Sequence, residues 1–272
     1  MAAVAPASEY HQWLLDNWYG FIAESYPEEV IDRAQFMALI HRYQDAHWLR
    51  QSNRYLGDLW YLFKPDFPRR LDEYYKNQEL QLTLTLISYA TDPELLYGNY
   101  IRPYEIAVGR LGQFSVLEFG SGVPHGLLHT AHRSGASFCT RLDFVDIDSL
   151  PPRFLSWFCK GHDVPHTWTR AIAGDAAVVE AGAPFDFIFA KDIFEHLVAP
   201  GPVLDQLLAR ASARAILALD LDDKGAVVYQ HVSPALEPLK TRVEDAGFVL
   251  IEKTGNLSMY ARGGSGSAQA KT

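Results

Sequence analysis

The feature that most limits the fold is a series of short apolar runs, separated by amphipathic segments, from residue 114 onward. The runs lie at 114–119, 142–147, 166–172, 185–190, 213–219 and 248–252, with a possible seventh at 257–261. Such runs, alternating with helices, are typical of a mostly parallel sheet that helices cover on both faces. The segments predicted to be helical are 125–133, 150–160, 200–211 and 233–246. The sequence therefore predicts an α/β fold.

Residues 1–110 differ in composition and are predicted to be helical. They contain 12 of the 14 tyrosines and four of the six tryptophans. Leu14, Trp18 and Phe21 have helical spacing. The leucines at 80–86 alternate as in a strand but also fit a helix face, and their helical surroundings favour the helix. We expect a helical lid and substrate region at 1–110, a sheet domain at 111–262 and a flexible tail at 263–272.

Composition excludes several classes of protein. The formal net charge is −9 and no basic cluster is visible, so we expect no nucleic acid partner. No apolar stretch approaches the roughly 20 residues of a membrane helix, and the N-terminus lacks the pattern of a signal peptide. The two cysteines are too few for a disulfide framework, which favours the cytoplasm. The sequence leaves the oligomeric state open.

The strongest local motif follows the first apolar run, where residues 116–126 read VLEFGSGVPHG. Glycines at such a turn let a ligand approach the backbone, although the motif can also be only a tight connection. The spacing of Gly120, Gly122 and Gly126 misses the dinucleotide pattern by one residue. Glu118 would repel a pyrophosphate but suits a cationic amino acid cofactor. Nicotinamide and flavin cofactors are therefore disfavoured.

Acidic and polar residues also follow the next apolar runs. Asp146 ends the second run, where a carboxylate can accept hydrogen bonds from ribose hydroxyls. The alternative is that Asp146 or Asp148 only caps the following helix, and for Asp148 this alternative is favoured. The third run leads to Gly-Asp-Ala at 174–176, and the fourth leads to Lys-Asp-Ile-Phe-Glu-His-Leu at 191–197. The order of these motifs, one at each strand end, is harder to obtain by chance than any of them alone.

These motifs together resemble the class I S-adenosylmethionine-dependent methyltransferase family, of the Rossmann-like, small-molecule type. The resemblance covers about residues 114–262 and implies a seven-stranded sheet whose last strand is antiparallel. It implies S-adenosylmethionine as cofactor, with Glu118 at the methionine amino end and Asp146 on the ribose. The other residues that it implies at the cofactor are Tyr100, Gly120, Ser121, Gly122, Ile147, Asp175, Ala176 and Lys191.

Two residues depart from the family pattern. Pro124 stands where the third glycine of the first motif is usual, and it can alter the turn near the methionine carboxylate. Lys191 stands where a small or uncharged residue is common. A lysine ammonium beside a sulfonium is unfavourable unless it points away or loses its proton.

The catalytic candidates are His196 and Tyr104. A histidine changes charge near neutral pH, so His196 is the best candidate for a general base, or it only orients its loop. Tyr104 and Tyr100 precede the first strand, where tyrosines of similar enzymes reach the cofactor; the alternative is core packing. The histidines at 125, 129 and 132 share a helix face, but no nearby carboxylate or cysteine completes a metal site, so no metal is expected.

Three functions remain open. The first is methyl transfer to a small molecule, in which the protein aligns the acceptor and excludes water. The second keeps S-adenosylmethionine but lets its amino group attack its own γ-carbon, giving azetidine-2-carboxylate and methylthioadenosine. The third is a non-catalytic binding protein with the same fold. Product analysis distinguishes the three.

Overall fold

The apolar runs form one seven-stranded sheet in this computed structural model, which describes residues 7–28, 32–43, 58, 71–171, 182–222 and 236–263. The strands are β1 (Phe114–Phe119), β2 (Cys139–Ile147), β3 (His166–Ala171), β4 (Phe185–Ala190), β5 (Ala211–Leu219), β6 (Phe248–Thr254) and β7 (Leu257–Arg262). Their order in the sheet is β3-β2-β1-β4-β5-β7-β6. The first five are parallel, and β7 is antiparallel to both β5 and β6. The predicted fold class and the antiparallel last strand are confirmed.

The central strands are apolar throughout because both of their faces are covered. All six residues of β1 are buried. Successive side chains of a strand point to opposite faces, and Val116 accordingly belongs to one core cluster while Leu117 belongs to the other. Phe187 and Ile188 of β4 divide between the same two clusters in the same way.

Helices precede the sheet and cover it. They are α1 (Ala7–Ser25), α2 (Arg33–Tyr43), α3 (Leu71–Asn77), α4 (Glu79–Ser88), α5 (Pro93–Leu96), α6 (Arg102–Leu111), α7 (His125–Ser134), α8 (Leu150–Gly161), α9 (Pro200–Ala209) and α10 (Glu237–Asp245). The alternating leucines at 80–86 lie in α4, so the helical interpretation of that segment is confirmed. Among the described helices the longest, α1, has 19 residues, and none has the apolar length that a membrane crossing requires.

The first helix is fastened to the helices that flank the sheet. The hydroxyl of Tyr10 lies 3.0 Å from Nδ1 of His125 at the start of α7. Trp18 stacks on Phe154 of α8, with ring centroids 4.2 Å apart. These buried aromatic contacts join α1 to the sheet-covering layer.

A π-helical turn at Tyr97–Ile101 connects α5 to α6 and brings Tyr100 to the edge of the sheet where β1 and β4 end. It is held by the turn between β6 and β7. The side chain of Asn99 accepts the Asn256 amide at 2.8 Å, and Thr254 donates its hydroxyl to the Gly98 carbonyl at 2.7 Å. Single π-helical turns are frequent at functional sites because they reorient one side chain.

Candidate active site

The glycine turn after β1 has the backbone conformation that glycine favours. Gly120 has φ +67° and Gly122 has φ +46°. The Gly120 amide donates to the Val145 carbonyl of β2 at 2.8 Å, so the turn is bonded to the neighbouring strand end. A Cβ at Gly120 would lie 2.7 Å from Cγ1 of Ile193, in the loop after β4. The ends of β1, β2 and β4 therefore meet at this turn.

Asp146, at the end of β2, is bonded to the same turn. One carboxylate oxygen accepts the Gly122 amide at 2.7 Å and the Ser121 hydroxyl at 3.2 Å. The other accepts the Ile147 amide at 2.8 Å. Burial raises the pKa of Asp146, and these three donors act against that rise. Ser121, Gly122, Asp146 and Ile147, all predicted cofactor residues, thus form one hydrogen-bonded group.

Asp148 does not cap α8 as the sequence suggested. The residue before the helix is Ser149, and no side-chain hydrogen bond caps this end. The carboxylate of Asp148 pairs with Arg153 and Arg170 instead.

Glu118 is buried near the end of β1, next to the glycine turn. Its exposure is 1%, and Tyr104 donates its hydroxyl to Oε1. The other oxygen, Oε2, is buried and has no hydrogen-bond partner within the part of the chain that the structure describes. Burial raises the pKa of Glu118 to about 8, although the Tyr104 hydrogen bond lowers it; Asp146 raises it further. A buried carboxyl with one unsatisfied oxygen is costly in a fold and is characteristic of ligand sites.

The two predicted tyrosines occupy different positions. Tyr104 is fully buried, its ring packs edge-to-face on Phe187 at 4.9 Å, and its hydroxyl is used by Glu118. Tyr104 therefore has no exposed surface, and its hydroxyl contacts Glu118 instead. Tyr100 retains 7% exposure and packs edge-to-face on His125 at 5.3 Å.

Lys191 follows β4 directly and its side chain is 4% exposed. Its ammonium nitrogen lies 5.1 Å from the ring centroid of Tyr100 and pairs with the Asp192 carboxylate. The aromatic face and the carboxylate both stabilise the charged form of a lysine. The positive charge expected at this position is thus held against Tyr100 and Asp192.

Three acids near Lys191 were missed by sequence reasoning as site residues. The side chains of Asp192, Glu195 and Asp220 approach so closely that a carboxylate oxygen from each lies within 4.8 Å of the others. Glu195 and Asp220 are buried. Their positions in the sequence could have indicated them, because Asp220 directly follows β5 and Asp192 lies two residues after the end of β4. Together with Glu118 and Asp146, these residues place five carboxyl groups at the ends of β1, β2, β4 and β5, a region that we call the crevice.

His196 lies in the short 3₁₀ turn Phe194–His196 of the loop after β4. Its ring is 6.5 Å, edge-to-face, from Tyr75 of α3. The N-terminal helices therefore reach the loop that carries the predicted general base. Burial raises the pKa of Tyr75, which keeps that phenol neutral.

The remaining residues that the sequence analysis singled out are Asp175, Ala176, His125 and Pro124. Asp175 and Ala176 lie outside the described residues. Both ring nitrogens of His125 face protein atoms: Tyr10 on Nδ1, and the Leu86 carbonyl at 2.8 Å from Nε2. Pro124 precedes α7 and its carbonyl accepts the Leu128 amide.

Sequence comparison finds no relative for this chain: it matches no known family model and no curated protein. Structural comparison finds solved proteins with a similar fold. An O-methyltransferase family protein from Burkholderia thailandensis superposes with a TM-score of 0.53 at 12% identity, over 96% of this chain and 95% of the other. The fold is therefore that of class I S-adenosylmethionine-dependent methyltransferases, as the sequence motifs predicted.

Two further solved structures are similar over part of this chain. The N-methyltransferase NodS from Bradyrhizobium japonicum, in complex with S-adenosyl-L-homocysteine, has 18% identity and a TM-score of 0.43 over 59% of this chain and 85% of its own. The [4+2]-cyclase SpnF has 15% identity and a TM-score of 0.47 over 67% of this chain and 73% of its own.

Proposed function

We propose that this chain, which has the fold of class I S-adenosylmethionine-dependent methyltransferases, binds S-adenosylmethionine and methylates a small-molecule acceptor. The observation that carries the proposal is the convergence of Glu118, the glycine turn and Asp146 at the ends of two adjacent parallel strands. Ligands of open α/β sheets bind outside the carboxyl ends of the strands.

One observation in particular supports this cofactor: one carboxyl oxygen of Glu118 is buried without a hydrogen-bond partner among the described residues. Oε2 is buried without a partner among the described residues, and a cationic amino group would supply one. Gly120 and Gly122 leave room for a ligand against the backbone. Asp146 would hold the ribose hydroxyls, with Ile147 beside the adenine. Tyr100 would close the methionine end.

The bound cofactor would supply a methyl group already activated by a positively charged sulfur. The chain then has three tasks: to orient the acceptor, to exclude water and to accept a proton where the acceptor carries one. Tyr100 and the N-terminal helices would exclude water. His196 is our candidate for the proton acceptor, because it belongs to the loop after β4 and its ring packs against Tyr75 of the N-terminal helices.

A small acceptor is favoured over a macromolecule by charge and by enclosure. The formal net charge is −9, and the crevice itself carries Asp192, Glu195 and Asp220 near Lys191. Such a site repels a nucleic acid backbone. Tyr75 and Tyr100 come from helices that cover the strand ends, which limits the size of what can enter.

The proposal is tested by titrating the purified chain with S-adenosylmethionine and S-adenosylhomocysteine and then analysing products by mass spectrometry. Methyl transfer predicts S-adenosylhomocysteine only when an acceptor mixture is added. If methylthioadenosine forms from S-adenosylmethionine alone, the reaction is intramolecular cyclisation and not methyl transfer. Absence of binding at millimolar cofactor would leave a non-catalytic protein and overturn the proposal.

A further inference from the structure

We propose that Glu118 is a neutral carboxylic acid before the cofactor binds and releases its proton to solvent as the cofactor's ammonium arrives. This inference rests on the proposed function and extends it to a proton that is exchanged on binding. In the step, the O–H bond of Glu118 breaks, the proton passes to buffer and the electron pair stays on the carboxylate. The ammonium keeps its charge, so the ion pair forms without any other reactant.

The geometry around Glu118 is that of a neutral acid. Its side chain is 1% exposed, and it receives one hydrogen bond, from Tyr104 to Oε1. Oε2 is buried and lacks a partner within the described residues. An ionised carboxylate so placed would carry an unsolvated charge, whereas a protonated one does not. Burial accordingly raises the pKa of Glu118 to about 8.

The groups on the surrounding elements do not offset this burial. Asp146, on β2, raises the pKa of Glu118 by repulsion. Other titratable groups near Glu118 include Tyr104 on α6, Tyr100 on the π-helical turn, Cys139 on β2, His125 on α7 and Lys191 after β4. The acids after β4 and β5, Asp192, Glu195 and Asp220, would also raise the pKa of Glu118 when ionised. Burial raises the pKa of Cys139 to about 12 and lowers that of His125 to about 4, so both are neutral near pH 7. The tyrosines are neutral for the same reason, since burial raises the pKa of each. The ammonium of Lys191 is directed to Tyr100 and Asp192.

An ammonium group beside Oε2 changes this balance. It supplies the missing hydrogen bond and an opposite charge, and both lower a carboxyl pKa. Below the pKa of the free protein, binding must then release a proton, and the affinity must rise with pH by up to about tenfold per pH unit between pH 6 and 8.

The experiment is isothermal titration calorimetry of S-adenosylmethionine and S-adenosylhomocysteine at pH 7, in buffers of different ionisation enthalpy. We expect release of about one proton per bound cofactor from the unmodified chain and about none from Glu118→Gln. The cofactor's own amino group titrates in the same range, with an ordinary pKa of about 8. It does so with either protein, so the difference between the two isolates Glu118.

A second variant, Tyr104→Phe, removes the donor that favours the charged form. We expect the midpoint of the pH dependence of affinity to move upward while proton release persists. Equal proton release by the unmodified chain and Glu118→Gln would overturn the inference. If Glu118→Gln does not fold, an unchanged midpoint in Tyr104→Phe would overturn it. Absence of binding by the unmodified chain at every pH would instead refute the proposed function.

Discussion

Gly120 lies directly against Ile193, so the turn after β1 and the loop after β4 are in contact. A Cβ at position 120 would lie 2.7 Å from Cγ1 and 2.8 Å from Cδ1 of Ile193. The backbone of Gly120 also has a positive φ of 67°, which residues other than glycine rarely adopt. Close approach and conformation therefore both require glycine where the two loops of the crevice meet.

We expect Gly120→Ala to destabilise the fold by about 1–3 kcal/mol and to weaken cofactor binding, because either Ile193 or the turn must move. Urea denaturation and calorimetric titration measure the two effects. Gly109→Ala, in α6, is the matched control. Outside the chain neighbours and backbone of the helix itself, no atom of the described residues lies within 4 Å of a Cβ there, so this substitution should stabilise by about 0.5–1 kcal/mol. Unchanged stability and affinity in Gly120→Ala would show that Gly120 is not packed tightly against Ile193.

Asp146→Asn tests the hydrogen-bonded group at the end of β2. Asparagine keeps only one acceptor oxygen, so the backbone amide of either Gly122 or Ile147 loses its acceptor, and the charge proposed to hold the ribose is removed. We expect S-adenosylmethionine affinity to fall by about 1–3 kcal/mol. Asp148→Asn is the control, because Asp148 pairs with surface arginines and its loss should change affinity little. Equal affinities in the two variants would refute the ribose assignment.

The sequence predicted the sheet well because both faces of its central strands are buried. Two predicted strands, at 114–119 and 185–190, coincide with β1 and β4 residue for residue. The sequence also predicted that Glu118 and Asp146 lie close together, because each is near the end of one of two adjacent parallel strands. Residues brought together by helix packing were not. The hydrogen bond from Tyr104 to Glu118 crosses from α6 to β1, and no periodicity encodes it.

The helical region shows the same limit. Alternation in 80–86 fits a strand and a helix equally, and only its neighbours favoured α4. The position of Tyr100 depends on a π-helical turn that is held by Asn99 and the turn between β6 and β7. That contact joins residues 157 positions apart in the chain. The local sequence pattern therefore predicts which residues are helical and apolar, but it does not predict which distant loop positions a residue such as Tyr100.

Acid sensitivity is expected from the histidines of α7. Burial lowers the pKa of His129 to about 4, so the folded chain binds fewer protons than the unfolded chain between that value and about 6.5. Stability must then fall as the pH drops through this range, by about 1–3 kcal/mol from this residue. His129→Phe should remove that part of the loss while keeping an aromatic ring against Tyr10.

The measurement is the free energy of unfolding at pH 7 and pH 5. Identical losses in His129→Phe and the unmodified chain would show that His129 is not held neutral by burial.

Glu118 is expected to have the opposite pH dependence. Its pKa of about 8 in the folded chain exceeds the ordinary value of 4.5, so the folded chain binds more protons between the two. The contribution of Glu118 is therefore present in full at low pH and is lost as the pH rises through about 8. Glu118→Gln keeps an acceptor for Tyr104 and cannot ionise. We expect its advantage over the unmodified chain to grow by on the order of 3 kcal/mol between pH 5 and pH 8, measured by urea denaturation without cofactor. A stability difference that does not change with pH would mean that Glu118 is already ionised in the folded chain, and the buried oxygen would then need a cation other than the cofactor.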